Sequence, residues 1–462
     1  MDGYAGYANE RLDKLRAAEY AHLDARGEVY LDYTGAGVYA DAQVRAHRDR
    51  LARRAYGNPH SENPASAAST ELVESARRAV LRFLHADEDE YAVVFTANAS
   101  AACRLVGEAY PFGRRRELVL TSDNHNSVNG LREFARRAGA RRRVVAIDGP
   151  ELRVPEQAVR RALHRRGLFA FPAQSNFTGV QHPLRWVEQA HDAGYDVLLD
   201  VAAYLPVHEL DLRRVRPDFV PISWYKVLGY PTGVGSLVAR REALARLRRP
   251  WFAGGTVAAV SAGGEWHWMA PDETAFEDGT LNFLGIPDVE FGLSWLASAG
   301  RDAVRRRVRA LTAWLLDRLT ALRHTNGRPL ARIYGPAGLR DRGGTVAFNL
   351  LDPDGRIVDE RLVAAEAAAA GLALRTGCFC NPGAGEASYG LSRRLLRKAP
   401  HPRVRTVDAY LQQVGVPSGG AVRVSFGIAS TDADARRLLD FLTTSYRDRV
   451  PDPAGLTPRV RC

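Results

Sequence analysis

Lysine is scarce in this sequence. Of its 64 basic residues only three are lysines, Lys14, Lys226 and Lys398, and the others are arginines. Arginine cannot form an imine, because its guanidinium stays protonated and delocalised. Lys226 ends an apolar mid-chain run, DFVPISWYK. Either a chemical need for an amine or chance explains its retention there, and the lysine count alone does not decide between them.

Asp200 is the first candidate partner of that amine. It ends the apolar run YDVLLD, and a carboxylate at the mouth of an apolar strand is costly unless a cation pairs with it. Two adjacent parallel strands would bring Asp200 and Lys226 into one crevice. Taken singly, Asp200 could also be a helix cap or an ion-pair partner, and Lys226 could be a surface residue.

Further polar groups follow other predicted strand ends. His125 lies in TSDNHNSVNG, where it could stack on a ring and carry protons or simply cap a helix. Ser100 lies in TANAS, where its hydroxyl and the backbone N–H groups of a helix start could hold a phosphate. Ser223 precedes Lys226 by three residues and could add a phosphate contact. An ordinary N-cap explains Ser100 equally well.

Alternating strands and helices must position these residues. Between residues 90 and 245, short apolar runs typical of strands alternate with stretches of helical periodicity. This alternation predicts an α/β fold with a parallel or mostly parallel sheet covered on both faces. We expect an N-terminal helix or arm at 1–28 that packs with the small domain, a large domain at 29–290 and a smaller α+β domain at 291–462.

The candidate residues match the needs of one cofactor. Pyridoxal phosphate requires an amine for an imine, a carboxylate that keeps its pyridine nitrogen protonated, a stacking ring and donors for its phosphate. Lys226, Asp200 and His125 are candidates for the first three, and the serines for the last. The sequence therefore predicts a pyridoxal-phosphate enzyme that acts on an amino acid, with Lys226 holding the cofactor as a Schiff base.

The chain resembles a known family in the order of its motifs. It is similar to the class V (fold-type I) pyridoxal-phosphate enzymes, above all the cysteine desulfurases and the N-terminal desulfurase domain of molybdenum-cofactor sulfurases. The similarity lies in TANAS, DNHNSV, PAQSNFTG, VLLD, SWYK, EDGT, RTGCFC and RVSFG. YGNPHSEN at 56–63 and PAQSNFTGVQHPL at 172–184 are the most specific stretches. The resemblance implies a large domain with a mostly parallel seven-stranded sheet flanked by helices, plus the smaller domain.

The resemblance also implies a role for each residue. Lys226 would carry the cofactor and move a proton, Asp200 would pair with the pyridine nitrogen, and His125 would stack on the ring. Asn176 would lie near the cofactor phenolate oxygen or the substrate, and Arg423 would clamp the substrate carboxylate with its bidentate fork. The implied phosphate ligands are Ala99, Ser100, Ser223 and, from the other subunit, Thr280. A homodimer with shared active sites follows.

Cys380 falls at the position of the desulfurase nucleophile, five residues after Arg375 in RTGCFC. The implied reaction takes L-cysteine or a cysteine derivative, places its sulfur on Cys380 as a persulfide and releases alanine, with a protein or small molecule as sulfur acceptor. Gly377 and the NPGAG segment predict a mobile loop, which a sulfur carrier needs. Cys378 could be a resolving thiol or a bystander.

Two alternatives stay open. The chain could keep the cofactor but perform elimination, replacement, transamination or epimerisation in a specialised pathway, with Cys380 not catalytic. It could also be a non-catalytic, basic binding scaffold. Ala203 and Tyr225 replace a glutamine and a histidine of typical desulfurases, as they do in the sulfurase branch, and Asn98 replaces the glycine of the phosphate turn. Because the sequence stops at residue 462, without a further C-terminal domain, we expect a stand-alone desulfurase.

Composition excludes several other classes. The net charge of +11 comes with arginine clusters, but no zinc-finger spacing or RNA-binding aromatic motif accompanies them, so we expect no nucleic-acid partner. No apolar run reaches eighteen residues and the N-terminus does not resemble a signal peptide, which predicts a cytoplasmic protein without a membrane partner. Four cysteines are too few for a disulfide scaffold, Cys103 is expected to be a buried core thiol, and no second cluster completes a metal site.

Overall fold

A computed structural model describes residue 4 and residues 6–59, 61–398, 406–416 and 418–459. Its strands are β1 (Val29–Tyr30), β2 (Tyr91–Thr96), β3 (Glu117–Thr121), β4 (Arg141–Val145), β5 (Gly167–Pro172), β6 (Tyr195–Asp200), β7 (Phe219–Ser223), β8 (Gly235–Arg240), β9 (Val257–Ser261), β10 (Trp266–Met269), β11 (Ala331–Tyr334), β12 (Thr345–Leu350), β13 (Leu372–Ala373), β14 (Arg375–Gly377) and β15 (Ala421–Ser425).

Its helices alternate with these strands and also follow them. They are α1 (Glu10–Glu19), α2 (Ala21–Ala25), α3 (Asp41–Arg53), α4 (Pro64–Phe83), α5 (Ala99–Ala109), α6 (Asn126–Asn129), α7 (Leu131–Arg137), α8 (Glu156–Ala162), α9 (Trp186–Asp192), α10 (Trp224–Leu228), α11 (Arg241–Ala245), α12 (Pro287–Ala299), α13 (Arg301–Ala321), α14 (Glu360–Ala369), α15 (Pro382–Ser388), α16 (Arg393–Lys398), α17 (Val407–Val414) and α18 (Asp432–Tyr446), with a 3-10 turn at Glu273–Phe276.

The large sheet has seven strands in the order β2-β8-β7-β6-β5-β3-β4. Only β8 runs antiparallel to its neighbours, and the other described pairs are parallel. The link from β7 to β8 is short, which suits an antiparallel connection, because a parallel crossover needs a dozen or more residues. The mostly parallel α/β sheet predicted from the sequence is confirmed.

Alternate residues of each strand face opposite sides of this sheet. In β2, Tyr91, Val93 and Phe95 join the apolar cluster on one face, whereas Ala92 and Val94 join the cluster on the other. Helices α4, α9 and α12 close the first cluster, and α5, α7 and α11 close the second. Both faces are therefore buried, which explains why the strands read as continuous apolar runs.

A second, antiparallel sheet has the order β11-β12-β15-β14. It shares an apolar cluster with α13, α14 and α18, and Leu12 of α1 lies in that cluster. Arg16 of α1 also pairs with Asp434 of α18 at 2.7 Å. Helix α12 runs across residue 290 and packs on α4, so the chain does not change character sharply there. The three-part division of the chain stays a prediction.

Three local features differ from the sequence-based expectations. The run DFVPISWYK is not a strand to its end: β7 stops at Ser223 and Lys226 lies in α10. NPGAG is not a loop, because Asn381 caps α15 and the following residues are helical. The β9–β10 hairpin was not predicted. Each difference depends on packing that local periodicity does not record.

Two features are absent from the described residues. No helix among them combines the length and the apolar character that crossing a bilayer requires. Nor do these residues contain a group of three or more histidine, cysteine and acidic side chains arranged to hold a metal ion.

Candidate active site

A cavity of about 250 Å³ opens where the parallel strands of the large sheet end. Carboxyl ends of parallel strands share one edge, so the residues that follow β2, β5, β6 and β7 meet there. Seven of the ten predicted site residues line the cavity: Ala99, Ser100, His125, Asn176, Asp200, Ser223 and Lys226. Arg423, Cys380 and Thr280 are placed elsewhere.

Asp200 ends β6, Lys226 lies in α10 directly after the neighbouring parallel strand β7, and both residues line this cavity. The backbone N–H of Ala202 donates to Asp200 Oδ1 at 2.9 Å and fixes the carboxylate. Lys226 Nζ forms no hydrogen bond or ion pair with any residue in the described ranges. Burial lowers the pKa of Lys226, and the charge of Asp200 opposes that shift. The amine is therefore closer to its nucleophilic, unprotonated form than an exposed lysine.

The segment after β1 supports the helix that carries Lys226. The N–H of Gly37 donates to the carbonyl of Tyr225 at 3.0 Å. A Cβ at Gly37 would lie 2.7 Å from Gly229 N and 3.1 Å from the Lys226 carbonyl oxygen. Only a glycine lets the two backbones approach so closely, so this contact sets the height of Lys226 in the cavity.

His125 is both a helix cap and a cavity residue. It is the N-cap of α6, and its Nδ1 accepts the N–H of Ser127 at 3.1 Å. That bond places the proton of the neutral ring on Nε2. Burial, and then the charge of Lys226, lower the pKa of His125. The ring is consequently a neutral aromatic surface at neutral pH, which suits stacking on a flat cofactor.

The N-terminus of α5 lies at the opposite end of the cavity. Asn98 caps the helix through Ala101 N at 2.9 Å, and the N–H of Ala99 donates to Ser223 Oγ at 3.0 Å. Ser100 Oγ lies 2.5 Å from Ser127 Oγ. Asn98 has φ −175°, extended backbone that any residue adopts, so the missing glycine costs nothing here. The start of α5 and the hydroxyls of Ser100, Ser127 and Ser223 form a candidate anion-binding set in the cavity lining.

Arg423 lies behind the wall formed by Asn176 rather than in the cavity lining. It belongs to β15 and is only 2% exposed. Its Nη1 donates to the Asn176 carbonyl at 3.0 Å and its Nη2 donates to Asp32 Oδ1 at 2.7 Å. Its buried Nε has no partner among the described residues.

Cys380 is exposed at the rim, outside the cavity lining. Its carbonyl accepts the N–H of Asn126 at 2.7 Å, and the Phe379 carbonyl accepts Asn176 Nδ2 at 2.8 Å. Phe379 and Cys380 both have φ +54°, a left-handed conformation that such residues adopt only when tertiary contacts impose it. The cysteine loop is thus held against the His125 turn by a main-chain bond and against Asn176 by a side-chain bond.

Thr280 is separated from this cavity. It lines a second surface cavity, of about 350 Å³, together with Ala97 and Ala101 on the outer side of α5. Its Oγ1 accepts Asn58 Nδ2 at 3.3 Å. The position does not serve the cavity of its own chain, and the role in a second subunit stays a prediction.

Sequence reasoning gave no site role to five of the lining residues: Cys103, Ser127, Pro172, Gln174 and Ala202. Ser127 follows His125 by two residues, so the helix start in HNSV could have revealed it. Cys103 lies one helical turn after Ala99, and this i, i+4 spacing places both on one face of α5. Burial raises the pKa of Cys103 well above its usual value, which keeps it a thiol and confirms the expected buried core position.

The cavity residues fit pyridoxal phosphate. An unpaired, half-buried amine faces a carboxylate across the floor, a neutral imidazole stands to one side, and an anion-binding helix start closes one end. These four groups are the ones that the cofactor requires. Lys226, Asp200, His125 and the Ser100–Ser223 end would hold its aldehyde, pyridine nitrogen, ring and phosphate respectively.

Comparison with known proteins gives the same assignment. The family model described as aminotransferase class-V matches residues 29–438. Molybdenum cofactor sulfurase of Solanum lycopersicum is 34% identical over 494 residues, covering 99% of this chain and 60% of that protein. The Homo sapiens molybdenum cofactor sulfurase is 33% identical over 476 residues, covering 95% of this chain and 52% of that protein. The chain therefore spans little more than half the length of these relatives.

Solved structures share the fold. A cysteine desulfurase from Thermococcus onnurineus NA1 superposes with a TM-score of 0.76 at 24% identity, covering 94% of this chain and 97% of that one. The Escherichia coli cysteine desulfurase CsdA gives a TM-score of 0.74 at 23% identity, covering 94% and 98%. The fold-type I architecture expected from the motifs is confirmed. The family match spans most of the sequence and includes every residue of the cavity, so this chain belongs to the aminotransferase class-V family.

Proposed function

We propose that this chain is a pyridoxal-phosphate-dependent cysteine desulfurase that acts on L-cysteine or a cysteine derivative. The observation that carries the proposal is the placement of Cys380. Its exposed thiol belongs to a loop bonded to Asn126, beside the cavity where Lys226 and Asp200 meet. A thiol on a loop beside this cavity can take sulfur from a bound substrate once the loop moves toward it.

Each of several residues has its own role in the first half of the reaction. When bound, pyridoxal phosphate supplies an electron-poor ring that stabilises negative charge at the substrate Cα and makes the Cβ–Sγ bond labile. Asp200 keeps the pyridine nitrogen protonated, and His125 packs on the ring. Lys226 accepts the Cα proton at Nζ, which its lowered pKa favours. Arg423, which donates to the Asn176 carbonyl, is the proposed partner of the substrate carboxylate.

Cys380 performs the sulfur transfer. Its thiolate attacks the substrate sulfur, so that an S–S bond forms as the Cβ–S bond breaks and the electron pair of that bond stays on the carbon side. Protonation of the carbon then gives alanine, and a persulfide remains on Cys380. The nucleophile must be a thiolate, and it must move from the rim toward the cavity for this step.

The relatives suggest what receives the sulfur. They are named molybdenum cofactor sulfurases, and the acceptor proposed here is a molybdenum cofactor or a protein that carries it. We also assign to this chain a homodimeric state, in which Thr280 reaches the phosphate of the partner subunit, and a cytoplasmic location.

A second reaction is favoured by one observation. Cys380 does not line the cavity, and its loop is fixed by a main-chain bond from Asn126 and by the side chain of Asn176. An enzyme that uses the same cofactor for elimination, replacement, transamination or epimerisation would need no thiol at that place. In that case Cys380 would have a structural role only.

Product analysis separates the two reactions. The holoenzyme is incubated with L-cysteine and a reductant, and alanine, pyruvate and sulfide are measured. Desulfuration gives alanine and sulfide in equal amounts, whereas elimination gives pyruvate. Cys380→Ala should lower alanine formation at least about a hundredfold, while Cys462→Ser, which removes another thiol, serves as the matched control. Unchanged turnover in Cys380→Ala contradicts the desulfurase proposal.

A further inference from the structure

Two arginines lie directly opposite each other beside the site. In the antiparallel pair β14–β15, Arg375 is the cross-strand partner of Arg423. Like charges in that position repel and destabilise a sheet. Arg423 is buried and Arg375 is half exposed, so only one of them has ready access to solvent. A fold that tolerates this pair must supply a compensating charge.

Asp32 supplies that charge from a distant part of the sequence. One of its oxygens accepts Arg423 Nη2 at 2.7 Å and the other accepts Arg375 Nε at 2.8 Å. The main chain at Asp32 forms a tight turn, because the backbone carbonyl of Asp32 accepts the N–H groups of Gly35 and Ala36 at 2.9 and 3.0 Å. A Cβ at Gly35 would lie 2.2 Å from Asp32 Oδ2, so the turn is shaped around the carboxylate.

The balance of charge in this group is incomplete. Two guanidinium groups share one carboxylate, so the cluster of Asp32, Arg375 and Arg423, hereafter the wall, carries one net positive charge. Among the described residues Arg375 donates a hydrogen bond only through its Nε, so its two terminal nitrogens stay free, and Arg423 Nε is buried without a partner in the same part of the chain. The charges of all three side chains reach Lys226, whose pKa the arginines lower and Asp32 raises.

We propose that Asp32 is a positioning and specificity-determining residue, which orients Arg423 and Arg375 and leaves a charge of +1 that accepts amino acids with a single carboxylate. The inference rests on the proposed function only in that the substrate is an amino acid. Without Asp32 the wall would carry +2 and favour a substrate with a second anionic group. Arg375, at the start of the strand that leads to the cysteine loop, would bind that group.

A charge cycle tests the proposal in the holoenzyme. Dissociation constants for L-alanine and L-aspartate are measured from the change in the cofactor absorption spectrum, which needs no desulfuration. The wall carries +1 in the natural protein, +2 in Asp32→Asn, zero in Arg375→Gln and +1 again in the double variant. Asp32→Glu, which keeps the charge, is the conservative rescue.

We expect Asp32→Asn to shift the ratio of the two dissociation constants about tenfold toward L-aspartate, a size typical of one added charge near a partly buried site. Arg375→Gln should shift it in the opposite direction, and the double variant and Asp32→Glu should return it close to the starting value. A loss of fold would weaken both ligands together and leave the ratio unchanged, and the melting temperature of the cofactor-free proteins reports that loss directly.

The outcomes are separable from those of the proposed function. If the ratio follows the charge of the wall but no alanine forms from L-cysteine, the inference stands and the desulfurase proposal fails. If alanine forms but the ratio is the same in all variants, Asp32 is a purely structural partner of two arginines and the inference fails. Absence of any spectral response to either amino acid also overturns it.

Discussion

The N–H of Asn126 donates to the carbonyl of Cys380 at 2.7 Å, which joins the turn that begins at His125 to the loop that carries the exposed thiol. The two residues are far apart in the sequence. Asn126 follows β3 of the large sheet, and Cys380 follows β14 of the antiparallel sheet. Their contact makes the position of the thiol depend on the same turn that places the imidazole in the cavity. We therefore expect a movement of the His125 turn to displace the cysteine loop, and the reverse.

That coupling can be weakened at Asn176, whose Nδ2 donates to the Phe379 carbonyl and whose Oδ1 accepts Asn381 Nδ2. Asn176→Ala removes both bonds, together worth about 2 kcal/mol, so the loop should open roughly thirtyfold more often. Hydrogen exchange at the Asn126 amide should accelerate by that factor, and sulfide release from L-cysteine should fall. Asn129→Ala, which loses a similar amide bond to the Asn124 carbonyl, is the control and should leave exchange at 126 unchanged. Equal protection in both variants contradicts the tether.

The amine of Lys226 should be indispensable for cofactor attachment. Lys226→Arg keeps a cation in the cavity but cannot form an imine, and Lys226→Ala removes the cation as well. Both purified variants should lack the absorption band of the covalently held cofactor, which lies at roughly 400–430 nm for a protonated imine. Borohydride treatment should fix the cofactor to position 226 in the natural protein only. A band that survives in Lys226→Arg would show that another group binds the aldehyde.

Gly235 should be required for the phosphate end of the cavity. A Cβ there would lie 2.5 Å from the Asn98 backbone, where neither β8 nor the turn before α5 can yield easily. Gly235→Ala should lower the free energy of unfolding by about 1–3 kcal/mol and weaken retention of the cofactor during dialysis. Gly113→Ala has nothing within 4 Å and is the matched control. Equal cofactor affinity in the two variants would argue against a close-packed phosphate end.

His208 should make the protein sensitive to mild acid. Burial and then three arginines, Arg305, Arg301 and Arg309, lower the pKa of His208 to about 4. Between about pH 6.5 and 4, His208 is therefore protonated in the unfolded chain and neutral in the folded chain. The free energy of unfolding falls as the pH is lowered through this range.

The loss from this one group is at most about 3 kcal/mol. His208→Gln should flatten the dependence of the denaturation midpoint on pH over the same range, because no proton is then taken up at this position. The measurement is urea denaturation at pH 7.5, 6, 5 and 4.5. A slope that is identical in the natural protein and the variant would show that His208 titrates normally.

The sequence alone determined the chemistry-bearing residues that stand at strand ends. Lys226, Asp200 and His125 each follow an apolar run, and parallel strands that alternate with helices bring such ends to one edge of a sheet. The continuous apolar runs also indicated that both faces of the large sheet are buried, because a strand with one face in water alternates apolar and polar residues. The mostly parallel sheet and the smaller α+β part of the chain were predicted from these local patterns of strands and helices.

Only the tertiary structure decided the contacts between distant segments. Asp32 meets Arg423 and Arg375 because strand register and a turn bring three separate parts of the chain together, and no local pattern encodes register between them. The end of β7 before Lys226 and the left-handed turn at Cys380 were likewise imposed by packing against Gly37, Asn126 and Asn176. Local sequence sets what each segment can be, whereas long-range packing selects which neighbour completes it.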